Sequence, residues 1–365
     1  MITRRLFLSF AVLGGGVWFL NPRSGNSLEE SKVSRDVNKF KFWGKLCGFN
    51  LQNFFMVHSK RCVEESEIIL LRELGFNFVR FPMDYRCWIK GDNIYDVNET
   101  VLKEIDSAID ICIKHGVHVC LNFHRAPGWT VAEPPETLNL WKEEEALKAS
   151  CFHWKLFAER YRDVSYRYLS YNLFNEPPAI SEDAHRRVIG KVIEEIRKID
   201  SEKYILCDGR RWGAVPPLEL ADFDIVASFH MYHPFTITHY KAEWAGKWEG
   251  VPVPTYPLEE KGVVWNRNTI ESNYISHWHK LEQKGVPIFV GEFGAYNKTP
   301  HDVVIRWMKD CLDIFQKHGW GWALWNFKGP FGPLDSGRVD VVYEKRGEVL
   351  IDKEMLRLLT RYLSQ

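Results

Sequence analysis

The sequence predicts an α/β fold, a single (β/α)8 barrel, on three observations. Short, almost wholly apolar segments alternate with amphipathic ones, the pattern of parallel strands buried on both faces beneath crossover helices. Four joins share one design, a basic last helical turn, a glycine, then an apolar strand, at 74–80, 114–122, 284–291 and 317–325. Four further apolar runs bring the strands to eight, which favours a closed barrel over an open sheet, and no GxGxxG follows any strand, which counts against a dinucleotide fold. The 365 residues balance 48 Lys+Arg against 48 Asp+Glu, so there is no electrostatic case for a nucleic-acid partner. With 45% hydrophobic and 26% charged residues the chain is globular rather than disordered.

Residues 1–36 read as an address and a linker. Arg4 and Arg5 precede an apolar run over 6–20, too short for a membrane span and of the length of a signal h-region. Thr3, Arg4, Arg5, Leu6, Phe7 and Leu8 resemble a twin-arginine export motif, and Gly14 to Gly16 keep the run only moderately hydrophobic. Export to the periplasm or beyond is expected, followed by a polar linker. An uncleaved membrane anchor is the alternative, since no Ala-x-Ala site follows. The folded domain is expected over 37–365.

The first strand is placed at 46–50. The second follows Gly75, where a left-handed cap and preceding cations suit the end of a helix. A helix with Val101, Leu102, Ile105, Ile109, Cys112 and Ile113 on one stripe leads into the third strand. Strands four to six are read at 168–174, 203–208 and 224–230. The segment 233–268 is then long and aromatic-rich (Phe235, Tyr240, Trp244, Trp248, Tyr256, Trp265), and loops of that length are usually functional. Strands seven and eight are the apolar ends of the last two joins, separated by a helix carrying Val303, Val304, Trp307, Met308, Cys311, Leu312 and Phe315. The 8 cysteines are scattered without CxxC or metal-ligand spacing, so mostly free thiols are expected, with at most one or two pairs.

In such a barrel the active side chains sit where strands run out into the following loops. The exits present Arg80 after the second strand, Asn122 and His124 after the third, Asn175 and Glu176 after the fourth, His230 and Tyr232 after the sixth, Glu292 after the seventh, and Trp325 and Asn326 after the eighth. Singly, each has an ordinary explanation, such as a salt bridge for Arg80 or a satisfied structural histidine for His124. Convergence on one face is harder to explain that way. Two facing glutamates are what acid-catalysed glycoside cleavage requires: one protonates the leaving oxygen, and the other attacks, or directs water at, the anomeric carbon. A metal-dependent hydrolase on His124 and His230 lacks a His-x-His pair, so neither metal nor cofactor is expected.

Gly75 to Pro82 (GFNFVRFP), Asn172 to Pro177 (NLFNEP), His230 with Tyr232, Ile288 to Gly294 (IFVGEFG) and Trp322 to Trp325 (WALW) resemble glycoside hydrolase family 5, the cellulase family within clan A of retaining β-glycosidases. The likeness spans nearly all of the chain after residue 36. It implies a TIM barrel and double displacement on a β-linked oligo- or polysaccharide. Glu176 would be general acid and then base, and Glu292 the nucleophile, hydrogen-bonded by Arg80 and Tyr232. Asn175 would bind the sugar 2-hydroxyl, His230 would bond Glu176 or the leaving-group side, and Trp325 would floor the cleavage subsite. His124 completes the family's central set. A carboxyl separation of about 5 Å is expected for retention. Arg125 and Trp129 depart from the family, which carries a second histidine or an acid after the first; Trp129 is a candidate stacking residue or a loop-packing one. Trp244, Trp248 and Trp265 are expected as further cleft walls, and Asp335 or Arg338 as a polar clamp. Endo-β-1,4-glucanase action is the first reading. A β-mannanase or an exo-acting β-glucosidase or β-mannosidase is the alternative, and a non-catalytic carbohydrate-binding barrel a distant one. A monomer is expected, with no stable membrane partner once the signal is cleaved.

Overall fold

The computed structural model describes residues 38–363, so the export segment and linker lie outside the described residues. Eight parallel strands close on themselves: β1 (Cys47–Asn50), β2 (Phe78–Asp84), β3 (His118–Ala126), β4 (Leu169–Asn172), β5 (Tyr204–Asp208), β6 (Val226–Met231), β7 (Ile288–Phe293) and β8 (Gly321–Leu324). Each pairs with its chain neighbours, and β8 with β1 completes the ring. All eight expected strands are present.

The helices form for the reasons their sequences suggest. In α1 (Glu99–Lys114), Asn98 caps the start by accepting from the Thr100 N–H, and Val101, Leu102, Ile105, Ile109 and Cys112 are buried against the barrel. Ile113 lies at the margin, half-buried. In α2 (His301–His318), Val303, Val304, Trp307, Met308, Cys311, Leu312 and Phe315 face inward, and Gly319 closes the helix at φ 68°. Gly75, Gly116 and Gly285 have positive φ at the other three joins, so the shared motif is a left-handed cap feeding a strand.

Helices do not fill every gap. Between β5 and β6 there are only two short turns, Arg210–Gly213 and Leu218–Leu220, because Pro216 and Pro217 remove the donors a helix needs. Between β6 and β7 the segment 233–268 carries the turn Phe235–Thr238 and a hairpin, Leu258–Glu260 with Val263–Trp265. Cys62, Cys87, Cys112, Cys120, Cys151, Cys207 and Cys311 carry no disulfide, and all but Cys62 are buried, as small core hydrophobes.

The barrel interior is layered. Its floor is a plug around Trp43, from the helical stretch 38–44, whose ring meets Phe78, His118, Tyr204 and Phe289 edge-on at 5.2–6.4 Å. Leu46, Cys120, Leu206, Val226 and Ala323 complete this apolar layer. Towards the strand exits the inward positions turn polar, with Asn50, Arg80, Asn122, Asn172, Asp208 and His230 all buried. Two register shifts re-aim side chains there. Against β2, residue Phe123 pairs with Met83 and Arg125 with Asp84, so His124 is the extra residue of a bulge. Against β6, Val290 pairs with Phe229 and Glu292 with His230, which leaves Gly291 as the bulged residue before Glu292. A Cβ on Gly291 would stand 2.5 Å from Ser228 Oγ and 3.0 Å from the His230 ring, so only glycine fits.

Candidate active site

Arg80 is the hub of the strand-exit layer. It is fully buried, and its fork donates from Nη1 to Glu292 Oε1 at 2.6 Å and to Asn50 Oδ1 at 2.9 Å. From Nε it donates to Asn172 Oδ1 at 2.8 Å, and from Nη2 to Asn175 Oδ1 at 2.8 Å. Tyr232 donates its hydroxyl to the other oxygen of Glu292 at 3.0 Å. Both oxygens of Glu292 therefore receive hydrogen bonds, one of them from a cation.

Glu176 faces it from the loop after β4. Ligand-type oxygens of Glu176 and Glu292 and a ring nitrogen of His230 all lie within 4.8 Å of one another. Burial raises the pKa of Glu176, with the charges of Glu292 and Asp208 adding to it and the hydrogen bond from His230 partly offsetting it. Its backbone sits in the left-handed region at φ 49°, a conformation few non-glycine residues adopt. His230 Nδ1 lies 2.9 Å from Glu176 Oε1 and 3.8 Å from Glu292 Oε2, while Nε2 lies 3.3 Å from Asp208 Oδ2. Burial works against charge on this ring, but Glu292, Asp208 and Glu176 together outweigh it and push its pKa up to about 9. His124 is the opposite case: burial, with the Arg80 charge, drives its pKa well below 6.5. It stacks under Trp325 at 5.4 Å, and its Nδ1 has no protein partner. Asn175 likewise keeps a buried, unpartnered Nδ2. The spacing of Glu176, His230 and Glu292 would suit a cation, but Nδ1 of His230 is engaged by Glu176 and the Arg80 guanidinium already occupies the flank of Glu292. The arrangement is instead two carboxylates with different surroundings across a gap the width of one reacting atom.

The comparisons with known proteins agree with this geometry. The cellulase family model, glycosyl hydrolase family 5, matches residues 36–330. The chain belongs to glycosyl hydrolase family 5. Endoglucanase C of Acetivibrio thermocellus is 26% identical over 301 residues, covering 76% of this chain and 87% of that protein. Cellodextrinase A of Ruminococcus flavefaciens is 24% identical over 291 residues, 76% of this chain and 80% of that one. Among solved structures, a glycoside hydrolase superposes with TM-score 0.83 at 39% identity, covering 87% of this chain and 99% of that chain. An endoglucanase from Thermotoga maritima gives TM-score 0.70 at 25% identity, over 88% and 99% of the two chains.

This family 5 hydrolase brings Arg80, His124, Asn175, Glu176, His230, Tyr232, Glu292 and Trp325 to one mouth. Trp129 joins them through its ring N–H, which donates to the Asn175 carbonyl at 2.7 Å, while the ring packs edge-on against Trp141. Arg125 is a loop pin: it is buried, paired with Glu136 at 2.6 Å and bonded to the Ala132 carbonyl. The expected clamp is absent. Arg338 spends its fork on the carbonyls of Thr299 and Ala295, and Asp335 accepts from the Leu350 N–H. In 233–268, Trp244 is largely exposed against Tyr296, whereas Trp248 bonds the Ala242 carbonyl and Trp265 packs on His233 and Tyr274.

Four residues escaped the sequence reading. Asn50 and Asn172 hold Arg80, and Asp208 accepts from Asn172 Nδ2 at 2.8 Å and from the Glu176 N–H at 3.0 Å. All three end their strands, the one signal that marks them. The fourth, Trp212, is 54% exposed on a turn where Arg211 and Trp212 are both left-handed, at φ 52° and 58°. Their N–H groups donate to the carbonyls of Pro178 and Pro177, tying this turn to the loop of Glu176.

Proposed function

We propose that the protein is a retaining endo-β-1,4-glucanase. The observation that carries the mechanism is the spacing: carboxyl oxygens within 4.8 Å suit covalent double displacement, whereas inversion needs roughly 6.5–9.5 Å for an intervening water. Glu292 attacks the anomeric carbon as the bond to the leaving oxygen breaks, and Glu176 passes its proton to that oxygen. Glu176, now a carboxylate, takes a proton from water, whose oxygen displaces Glu292 from the anomeric carbon. The raised pKa of Glu176 keeps a proton available for the first step. Asn175 Nδ2, fixed by Arg80 through its Oδ1 and by Trp129 through its carbonyl, is a donor for the sugar 2-hydroxyl. Trp325, half-buried on His124, is the floor, with Trp129 and Trp212 as candidate side walls. The glucan and endo assignments rest on the relatives named endoglucanase.

The test is a panel of soluble β-1,4-glucan, β-mannan and xylan. Glucan viscosity should fall faster than reducing ends appear; preference for mannan, or end-trimming alone, would overturn the substrate reading. Glu292→Gln should lower kcat at least about a thousandfold. Glu176→Gln should spare activated aryl glycosides in the first step and be rescued by azide, a nucleophile that needs no base. Wild-type rates in either variant would overturn the mechanism. Residues 1–20 are proposed to direct export, on the strength of Arg4 and Arg5 before an apolar run. Replacing both with Lys should retain the precursor in the cytoplasm, and unchanged export would refute this.

A further inference from the structure

Asp208 is the third acid at the mouth, and the two-glutamate mechanism gives it no task. It is fully buried at the end of β5, and the groups that approach its oxygens can all donate. Asn172 Nδ2 donates to Oδ1 and the Glu176 N–H to Oδ2, while Arg80 Nη2 stands at 3.8 Å and His230 Nε2 at 3.3 Å from Oδ2. An acceptor-only group fits these surroundings; an amide, which must present N–H somewhere, does not.

We infer that Asp208 is a positioning residue for the reaction, fixing the backbone of Glu176 and holding His230 doubly protonated between the two glutamates. The first part follows from the hydrogen bond at 3.0 Å to the N–H of a residue in a left-handed conformation, which needs its surroundings to hold it there. The second follows from the ring's neighbours. Glu176 faces Nδ1 from the β4 loop, Asp208 faces Nε2 from β5, and Glu292 approaches from β7. The cation nearby is Arg80 on β2, committed to Glu292 and the asparagines; the other basic group, His124 on β3, is kept neutral by burial. Carboxyl oxygens that can accept face both ring nitrogens, Glu176 Oε1 at 2.9 Å from Nδ1 and Asp208 Oδ2 at 3.3 Å from Nε2, which favours an N–H on each, and the upward pKa of His230 agrees. The resulting positive charge sits beside Glu176 as it gives up its proton, stabilising the carboxylate that forms. Asp208 thus tunes the acid without touching substrate.

This rests on Glu176 being the general acid, so Glu176→Gln is assayed in parallel. Asp208→Asn removes the charge, and Asp208→Ser leaves room for water to accept from the Glu176 N–H should the amide prevent folding. The probes are phenyl and 2,4-dinitrophenyl β-cellobioside, the first needing protonation of its leaving group and the second not. In both Asp208 variants kcat/KM should fall at least about tenfold more on the phenyl than on the dinitrophenyl substrate. By NMR of ring-labelled histidine, His230 should also titrate at lower pH than in the wild type. Equal losses on both substrates, or an unmoved His230 titration, would overturn the proposal and leave Asp208 a purely structural residue. If Glu176→Gln itself shows no leaving-group dependence, the acid assignment falls and this inference with it.

Discussion

At the scale of single residues, the site works by surrounding similar groups with different neighbours. Two buried histidines of one site end in opposite states: burial and the Arg80 charge act against charge on His124, whereas His230 faces Glu292, Asp208 and Glu176. The charge on His230 also enters the stability of the molecule. Its pKa in the fold, about 9, is above the ordinary 6.5, so the stability it adds is fully present below pH 6.5 and is lost as pH rises through about 9. The raised pKa of Glu176 has the same sign, starting lower. Above pH 6.5 the wild type should therefore lose stability, with His230 accounting for about 3 kcal/mol of the fall by about pH 9. Below pH 6.5 the histidines that burial keeps neutral, His118, His124, His153, His233 and His239, act with the opposite sign. Denaturant titrations across that range should show a shallower fall in His230→Asn; an identical slope would mean that the ring does not carry the charge.

At the scale of elements, the bulges at His124 and Gly291 convert regular strands into an active site. A strand in strict register alternates its side chains between barrel interior and helix layer. The extra residue in β7 turns Glu292 towards Tyr232 and Arg80, and it requires a residue without a Cβ beside the His230 ring. Gly291→Ala should displace His230 from Glu176 and lower kcat at least about tenfold, at a stability cost of about 1–3 kcal/mol from overpacking. Wild-type kcat at wild-type stability would show that the bulge has slack. The same elements mark how far the sequence could be read. Strands buried on both faces leave unbroken apolar runs, and the four glycine caps are local signals, so all eight strands were legible. The exit residues from Arg80 to Trp325 were legible because each follows such a run. Asp208, Asn50 and Asn172 were not, since which last residue of a strand turns inward depends on closure of the ring. Nor was the fate of Arg125 and Arg338: a buried arginine serves substrate or carbonyls according to which loops reach it, and Glu136, Thr299 and Ala295 come from folds of loop that carry no periodicity.

At the scale of the whole molecule, the barrel divides its labour along its axis. The exit end holds buried charge, left-handed non-glycine residues and polar atoms without protein partners, such as Asn175 Nδ2 and His124 Nδ1, all of which cost stability. The opposite end offsets that cost with an apolar plug. Trp43 reaches it from outside the ring and is wholly buried among Phe78, His118, Tyr204 and Phe289. The ring contacts of Trp43 are with Phe42, Phe78, His118, Tyr204 and Phe289, so the two ends should separate experimentally. Trp43→Ala opens a cavity that rigid strands cannot collapse into, and it should cost about 3–5 kcal/mol in denaturant unfolding. Well below the transition, kcat and KM should stay within about twofold of the wild type, because the bottom layer of such a barrel serves stability rather than chemistry. A large loss of kcat with little loss of stability would mean that the plug sets the register of the strands up to their exits, and that the floor of this barrel takes part in aiming Glu176 and Glu292.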